Sequence, residues 1–303
     1  MSNARNIAAL STVEVGATAD QTKADLNAIG VSGGRKNLIM NGGFDVWQRG
    51  TSFTSGDAYR SDRCFSFTGS RGDTSFSRST DVPTGEGFKY SAVITATQGH
   101  GLPFYRSQIE DFATVVPTTK AHTVSFWAKA SVSMSINSDL GDAGSKIHTL
   151  TTTWQRFINV VPAGTGFSYI ALDLENNTVA GTIYITGVQL ELGSVATDFE
   201  HRSYGEELAL CQRFYWQGGL SDGRGVRYKY ATAGSNRSAG HVTFPSTMRI
   251  APTMTIVTTP NYDSCSHNSF GYTTADGFSE AVTVVGTSMY RAYWGVYAAD
   301  AEL

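Results

Sequence analysis

Charge is scarce in this chain: Asp, Glu, Lys and Arg make up 16% of its 303 residues, against about a quarter in ordinary globular proteins. With a net charge of −3, it lacks the dense basic face that holds nucleic acid through counterion release. Long apolar runs are missing too, so no membrane span is expected. The N-terminus has no basic-then-apolar signal pattern, and the chain is expected to be soluble when made in a cytoplasm. Cysteine is rare. The 3 cysteines, Cys64, Cys211 and Cys265, lie far apart without Cys-x-x-Cys or Cys/His spacing, which reads as reduced thiols and offers no zinc site. Catalytic signatures are absent: there is no Gly-x-Ser-x-Gly, His-Glu-x-x-His, EF-hand or phosphate-loop pattern. Asp173 and Glu175 share a strand face, but they read as a solvated edge rather than a glycosidase pair. No cofactor is expected.

What is present is glycine, 32 residues of it, together with much Ser and Thr, the composition of short strands and turns. Residues 1–36 are poor in large apolar side chains and form no core alone. Within them Thr18 and Gln21 make a capping box, Ala19, Thr22, Leu26 and Ile29 form a thin helical stripe, and Gly30 supplies the stop. From Asn37 to about Glu200 the period is two: 123–130, 154–161, 169–174 and 182–186 alternate, with turn residues between them. Many short strands without intervening helices predict a β-sandwich or jelly roll.

One helix is expected next. Ser203 and Glu206 form a capping box, and Tyr204, Leu208, Cys211 and Phe214 or Tyr215 line a face that Gly218-Gly219 ends. After it 241–245, 252–257, 281–285 and 290–297 again read as strands, with Pro at strand ends where no ladder donor is lost. The expected fold class is all-β. Its parts are a leader (1–36), a jelly-roll sandwich (37–202), a connecting helix (203–219) and a C-terminal β domain (220–303).

Five motifs carry a resemblance. They are Asn37-Leu38-Ile39-Met40-Asn41-Gly42-Gly43-Phe44 through Trp47-Gln48-Arg49-Gly50; Ser61-Asp62-Arg63; Gln189-Leu190-Glu191 through Phe199-Glu200 and Arg202; Tyr204-Gly205-Glu206-Glu207-Leu208 through Tyr215; and Phe244-Pro245 through Met248-Arg249 and Ala251-Pro252-Thr253. With the Tyr297-to-Leu303 ending they cover most of 37–303 in order and spacing. The chain resembles bacteriophage and prophage tail-fibre proteins that carry a jelly-roll module of the carbohydrate-binding type. The resemblance implies a virion-attached homotrimer whose leader, through Leu26 and Ile29, docks on a tail, adaptor or nozzle protein. Its far end would meet host cell-surface polysaccharide. Such jelly rolls often hold a structural calcium. Asp45 is the one candidate ligand here, but Thr186 stands where the last strand often has an Asp, so no metal is assigned.

Residue chemistry adds the finer expectations. Apolar side chains wrap 203–216 more widely than one sheet requires, which places Leu208, Leu210, Cys211, Phe214, Tyr215 and Trp216 at a trimer interface. Sugar rings stack on exposed aromatic faces beside polar groups. Tyr262, His267, Phe270 and Tyr272 in a turn-rich stretch, Tyr290 near the last strand, and Asn261, Asp263 and Asn268 among them are therefore the candidate glycan site. A non-enzymatic fibre is the expected function. The alternatives are a depolymerising tailspike and a free carbohydrate-binding module of a secreted enzyme, the latter disfavoured by the missing signal peptide.

Overall fold

The computed structural model describes residues 35–302 apart from 55, 67–73, 97–102, 111–115, 141–144, 165, 167–168, 175–179, 220–225, 229–235, 263–264 and 285–290. The leader helix, with Leu26 and Ile29, lies outside the described residues. The chain divides into two compact units. One holds 35–43, Thr54–Asp57 and Ser66–His201; the other holds Phe44–Phe53, Ala58–Phe65 and the chain from Arg202 onward. Three two-residue strands, β1 (Ser52–Phe53), β2 (Ala58–Tyr59) and β3 (Phe65–Ser66), fall in the early segments.

The first unit is the expected sandwich. Strands β4 (Thr74–Ser79), β5 (Ser91–Ala96), β7 (His122–Ala130), β10 (Gln155–Val161) and β12 (Gly181–Leu192) run antiparallel in the order β4-β5-β12-β7-β10. The second sheet runs β6-β11-β8-β9, from β6 (Pro103–Gln108), β11 (Tyr169–Leu174), β8 (Met134–Asp139) and β9 (Ser145–Leu150). Alternation fixes which side chains enter the core. Along β8, Met134, Ile136 and Ser138 are buried while Ser135, Asn137 and Asp139 are half-buried. Val124, Phe126, Ile183 and Ile185 from one sheet and Tyr105, Ile136, Leu150, Ile170 and Leu172 from the other form the core. A ring such as Phe126, wholly buried, contributes about 1.5–3 kcal/mol by leaving water.

One buried polar cluster inside the sandwich is closed by hydrogen bonds. Ser138 Oγ meets His148 Nε2 at 2.9 Å and accepts from Asn159 Nδ2 at 3.1 Å, linking β8, β9 and β10. Burial of imidazole disfavours its cation, so His122 and His148 are both held down to about 4.

β12, which carries the Gln189-Leu190-Glu191 motif, is buried on both faces from Ile185 to Leu192. Its register against β7 slips between Thr186 and Gln189. Gly187 sits in the slip at φ 63°, where an added Cβ would come 2.5 Å from the Phe88 ring. Only glycine meets both demands.

The C-terminal unit, which takes up Phe44–Phe53 and Ala58–Phe65, resumes at α1 (Tyr204–Gln212). Ser203 Oγ caps it by accepting from Glu206 N at 3.3 Å. The helix is shorter than the periodicity predicts, because Tyr215–Gly219 is a strand, β13, paired with β19 (Arg291–Asp300). Three consecutive aromatic residues, Phe214 to Trp216, fit a pleated sheet better than another helical turn. β14 (Val226–Tyr228) and β16 (Thr253–Tyr262) also pair with β19, and a separate sheet runs β15-β18-β17 through Asn236–Thr243, Gly277–Val284 and Cys265–Thr274. The core here is aromatic. Phe244, Met248, Phe278 and Tyr297 are buried with Ala299 and Ala301, and Trp216, Val242, Met254 and Phe270 pack against them. Phe278 has ring neighbours at 5.7–6.4 Å in Trp216, Phe244, Phe270 and Tyr297, the separations that edge and tilted pairs prefer.

Candidate functional site

The residues that carry the sequence resemblance turn out to be framework. In the sandwich, Asn37 Oδ1 accepts from Ile39 N and Leu190 N at 2.9 and 3.1 Å, and Asn37 N donates to Glu200 Oε2 at 2.8 Å. Gln189 Oε1 accepts from Glu200 N at 2.9 Å while Gln189 Nε2 donates to Glu191 Oε1 at 3.1 Å. The Glu191 carboxylate takes both the N–H and the hydroxyl of Thr197, at 2.9 and 2.6 Å. These buried carboxylates and amides satisfy one another, as low-dielectric burial requires. Gly42 lies so close that a Cβ would stand 2.0 Å from Val188 O. Thr186 donates to Tyr90 O at 2.8 Å. Among the described residues no group of three His, Cys, Asp or Glu is placed to hold a metal, and Asp45 belongs to the other unit.

In the C-terminal unit the motifs of the early segments meet the chain end. Arg63 pairs with Glu302, both side chains buried, and its guanidinium lies 3.7 Å over the Phe214 ring. Arg49 reaches Glu302 at 3.2 Å and Asp300 at 3.5 Å, and stacks 3.5 Å over Tyr215. Asp62 accepts from Gln48 N and Nε2 at 2.7 and 2.6 Å, and Gln48 Nε2 also donates to Tyr215 O at 2.7 Å. Burial pushes the Asp62 and Glu302 carboxyls above their usual value in spite of the arginines. Burial, helped by Glu302, likewise lifts the Tyr59 hydroxyl to about 12.

Part of the expected trimer surface is covered within the chain itself. Cys211, Phe214 and Tyr215 are buried within their own chain, and burial pushes the Cys211 thiol well up. At these three positions the apolar side chains are covered by intrachain packing. Leu208, Leu210 and Trp216 stay half-buried, and Trp216 packs on Phe244 at 5.4 Å.

The described candidate glycan residues fall on two consecutive strands. Their stretch is strand rather than loop: Asn261 and Tyr262 end β16, and His267, Asn268, Phe270 and Tyr272 lie on β17. Asp263 and Tyr290 lie outside the described residues. Phe270 is a core contact, edge-on to Phe278 and Tyr297 at 5.7 Å each. Tyr272 is different. Strand parity puts it on the same side as Phe270, yet it is 82% exposed. The reason is local. Register slips between Gly271 and Thr274, and Tyr272 has φ 50°, a left-handed backbone uncommon for a bulky residue. A bulge of this kind re-aims a side chain.

The hairpin that presents it is braced. Thr247 Oγ1 donates to Asp276 Oδ1 at 2.8 Å, and Phe244 N and Met248 N donate to Asp276 O and Ala275 O at 2.9 and 2.8 Å. An added Cβ on Gly277 would lie 2.3 Å from Val242 O. His241, paired in register with Ser279, meets its hydroxyl at 3.4 Å, and Gly271 pairs with Ser279 from the other side. The result is an exposed ring on a braced hairpin, a surface suited to stacking. The sequence reading missed His241 and Ser279. For His241 the local signal was its alternation with the partly buried Val242 and the buried Phe244; Ser279 had none.

In sequence the chain matches no family model and no curated protein. In structure it aligns with the enzymatically active domain of bacteriophage CBA120 tailspike protein 4, at a TM-score of 0.35 and 16% identity over 52% of this chain and 21% of that one. TmCBM61 in complex with β-1,4-galactotriose aligns at 0.35 and 15% identity, over 52% of this chain and 99% of that one. The CBM22-1 xylan-binding domain of Paenibacillus barcinonensis Xyn10C aligns at 0.32 and 12%, over 53% and 96%. At TM-scores this low the likeness says nothing of ligand or assembly.

Proposed function

We propose that this chain is a structural phage tail fibre that binds host cell-surface glycan without cleaving it. The observation that carries the binding half is Tyr272, 82% exposed at φ 50°. A strained, solvent-facing ring on a braced hairpin suits a task outside the fold. The ordered tail-fibre-like motifs from Asn37 to Glu302 support the fibre half. The leader, with Leu26 and Ile29, is assigned to the tail, and the protein to the virion. Three copies are proposed, for which the half-buried Leu208, Leu210 and Trp216 and the exposed Ile250, Ile256 and Val257 supply apolar contact.

Tyr272→Ala tests the reading. Loss of a stacking ring removes about 0.5–1.5 kcal/mol per site, and avidity multiplies that across linked copies. Adsorption to host cells should fall while the melting temperature holds. Unchanged adsorption with an intact fold rejects this site, and release of reducing ends from purified host polysaccharide replaces the fibre with a depolymerising tailspike.

A further inference from the structure

The outer face of the β4-β5-β12-β7-β10 sheet carries chemistry that the fold does not require. Outward positions of a solvated sheet are ordinarily filled with small polar or charged residues. Here β12 points Tyr184 outward between the buried Ile183 and Ile185, opposite Lys129 on β7. Trp154, just before β10, stands edge-on to Tyr184 with centroids 6.3 Å apart. Asp81, from the β4–β5 connection, accepts from Trp154 Nε1 at 3.0 Å through one oxygen and from Lys129 Nζ at 2.6 Å through the other. Lys129 Nζ lies 4.9 Å from the Tyr184 centroid and 5.5 Å from that of Trp154. Burial would raise the Asp81 carboxyl, but the two hydrogen bonds and the ammonium charge outweigh it and hold it below its ordinary value.

A row of hydroxyls runs beside these rings. Thr95 pairs with Thr182 across β5 and β12, their oxygens 3.4 Å apart. Ser75 pairs with Thr95 from β4, and Ser131 Oγ accepts from Thr182 N at 2.9 Å. Neighbouring strands lie about 4.8 Å apart, so the row crosses the strands as an evenly spaced polar strip next to two fixed aromatic rings.

We infer that this face is a second glycan-binding site, which takes a neutral oligosaccharide segment lying across the strands. Tyr184 and Trp154 stack on the apolar faces of the sugar rings, and Thr95, Thr182 and Ser131 meet their hydroxyls. Asp81 is a positioning residue that holds the indole and the lysine in one arrangement before the ligand arrives, which removes part of the ordering cost of binding. The neutral assignment follows from charge. Lys129 and Asp81 cancel each other, and an acidic sugar would have to compete with Asp81 for the ammonium. This second site shares the glycan chemistry proposed for the distal hairpin and rests on that reading.

The test uses the full chain on an array of neutral, amino-sugar and uronic-acid oligosaccharides. Tyr184→Val and Trp154→Ala should each weaken binding to neutral oligosaccharides by about two- to tenfold, and Asp81→Asn by a few-fold, with far-ultraviolet circular dichroism and the melting temperature nearly unchanged. Asp81→Asn keeps the side-chain shape and decides the matter should Trp154→Ala lose its fold. Tyr272→Ala should leave this neutral binding in place. If Tyr272→Ala alone lowers the signal, the sandwich site is wrong and the distal site stands. Binding confined to uronic-acid probes overturns the ligand class. Failure of the intact chain to bind any oligosaccharide removes both sites.

Discussion

The two units keep buried polar groups for opposite reasons and with opposite chemistry. In the sandwich the imidazoles of His122 and His148 are held uncharged, and the buried Glu191 carboxylate is closed off by Gln189 and Thr197 at one sheet end. In the C-terminal unit buried charged groups tie distant segments together, with Arg63 and Glu302 meeting across 239 positions of sequence. The sandwich folds from strands that alternation already places. The C-terminal unit must recruit Phe44–Phe53 and Ala58–Phe65, and ion pairs that are costly to bury unless matched supply that specificity. Asn37 also reaches Leu190 across 153 positions in the sandwich, so the difference between the units lies in buried charge rather than in reach.

The sharpest way to break the comparison is to remove one partner of the clasp. Arg63→Met leaves Glu302 buried beside Arg49 with its best counter-charge gone. Loss of one partner of a buried pair costs about 3–5 kcal/mol. The change lies early in the chain, yet calorimetry should show the C-terminal unit's transition falling steeply while the sandwich transition holds. A fall confined to the sandwich would mean that the early segments belong there energetically.

Acid should separate the units in a graded way. His122 and His148 have folded values near 4 against an ordinary 6.5, so the unfolded chain binds more protons between those limits. The stability these two groups contribute to the sandwich is then fully present above about 6.5 and is lost as pH falls toward about 4. Asp81, held low, adds a loss only below its ordinary value of 3.8. Asp62 and Glu302 are raised by burial, so the folded C-terminal unit takes up protons before the unfolded chain does, and these two groups favour folding as pH falls toward the ordinary carboxylate range. Two-transition melting between pH 7 and 4 should show the sandwich midpoint dropping and the C-terminal midpoint holding or rising. His148→Phe should flatten the sandwich slope. Parallel slopes in both units would sink the contrast.

How far the sequence foretold this follows the same physics. The all-β class and the strands at His122–Ala130, Gln155–Val161 and Tyr169–Leu174 were legible because β-branched and aromatic residues alternate there. β4, written Thr-Ser-Phe-Ser-Arg-Ser, and β17, opening Cys-Ser-His-Asn-Ser, are polar enough to read as loop, and their strand state comes from their partners. Phe214 and Tyr215 fit the helical period, and nothing local told that Tyr215 pairs with Asp300. Tyr272 was named for its ring, but the left-handed turn that exposes it has no sequence signal, since the residue is not a glycine.

The smallest effect concerns the joint at which the C-terminal unit resumes. Ser203 has extended backbone at φ −63° and ψ 149°, and its hydroxyl accepts from Glu206 N at 3.3 Å. Glu206 and Glu207 occupy the first turn, where the helix dipole favours negative charge. Arg202, half-buried, also donates to Glu207 Oε1 at 3.3 Å. Ser203→Ala removes one cap acceptor and leaves the acidic turn and the Arg202 contact, so about 1 kcal/mol should be lost. Ser203→Asp should recover it, because a carboxylate accepts the same N–H and adds charge at the dipole's positive end. Because the unit also rests on the Arg63–Glu302 pair and an aromatic core, the cap change should shift its transition by only a few degrees and leave the sandwich untouched. A shift as large as that of Arg63→Met would make α1, rather than the buried ion pair, the element that holds the C-terminal unit together.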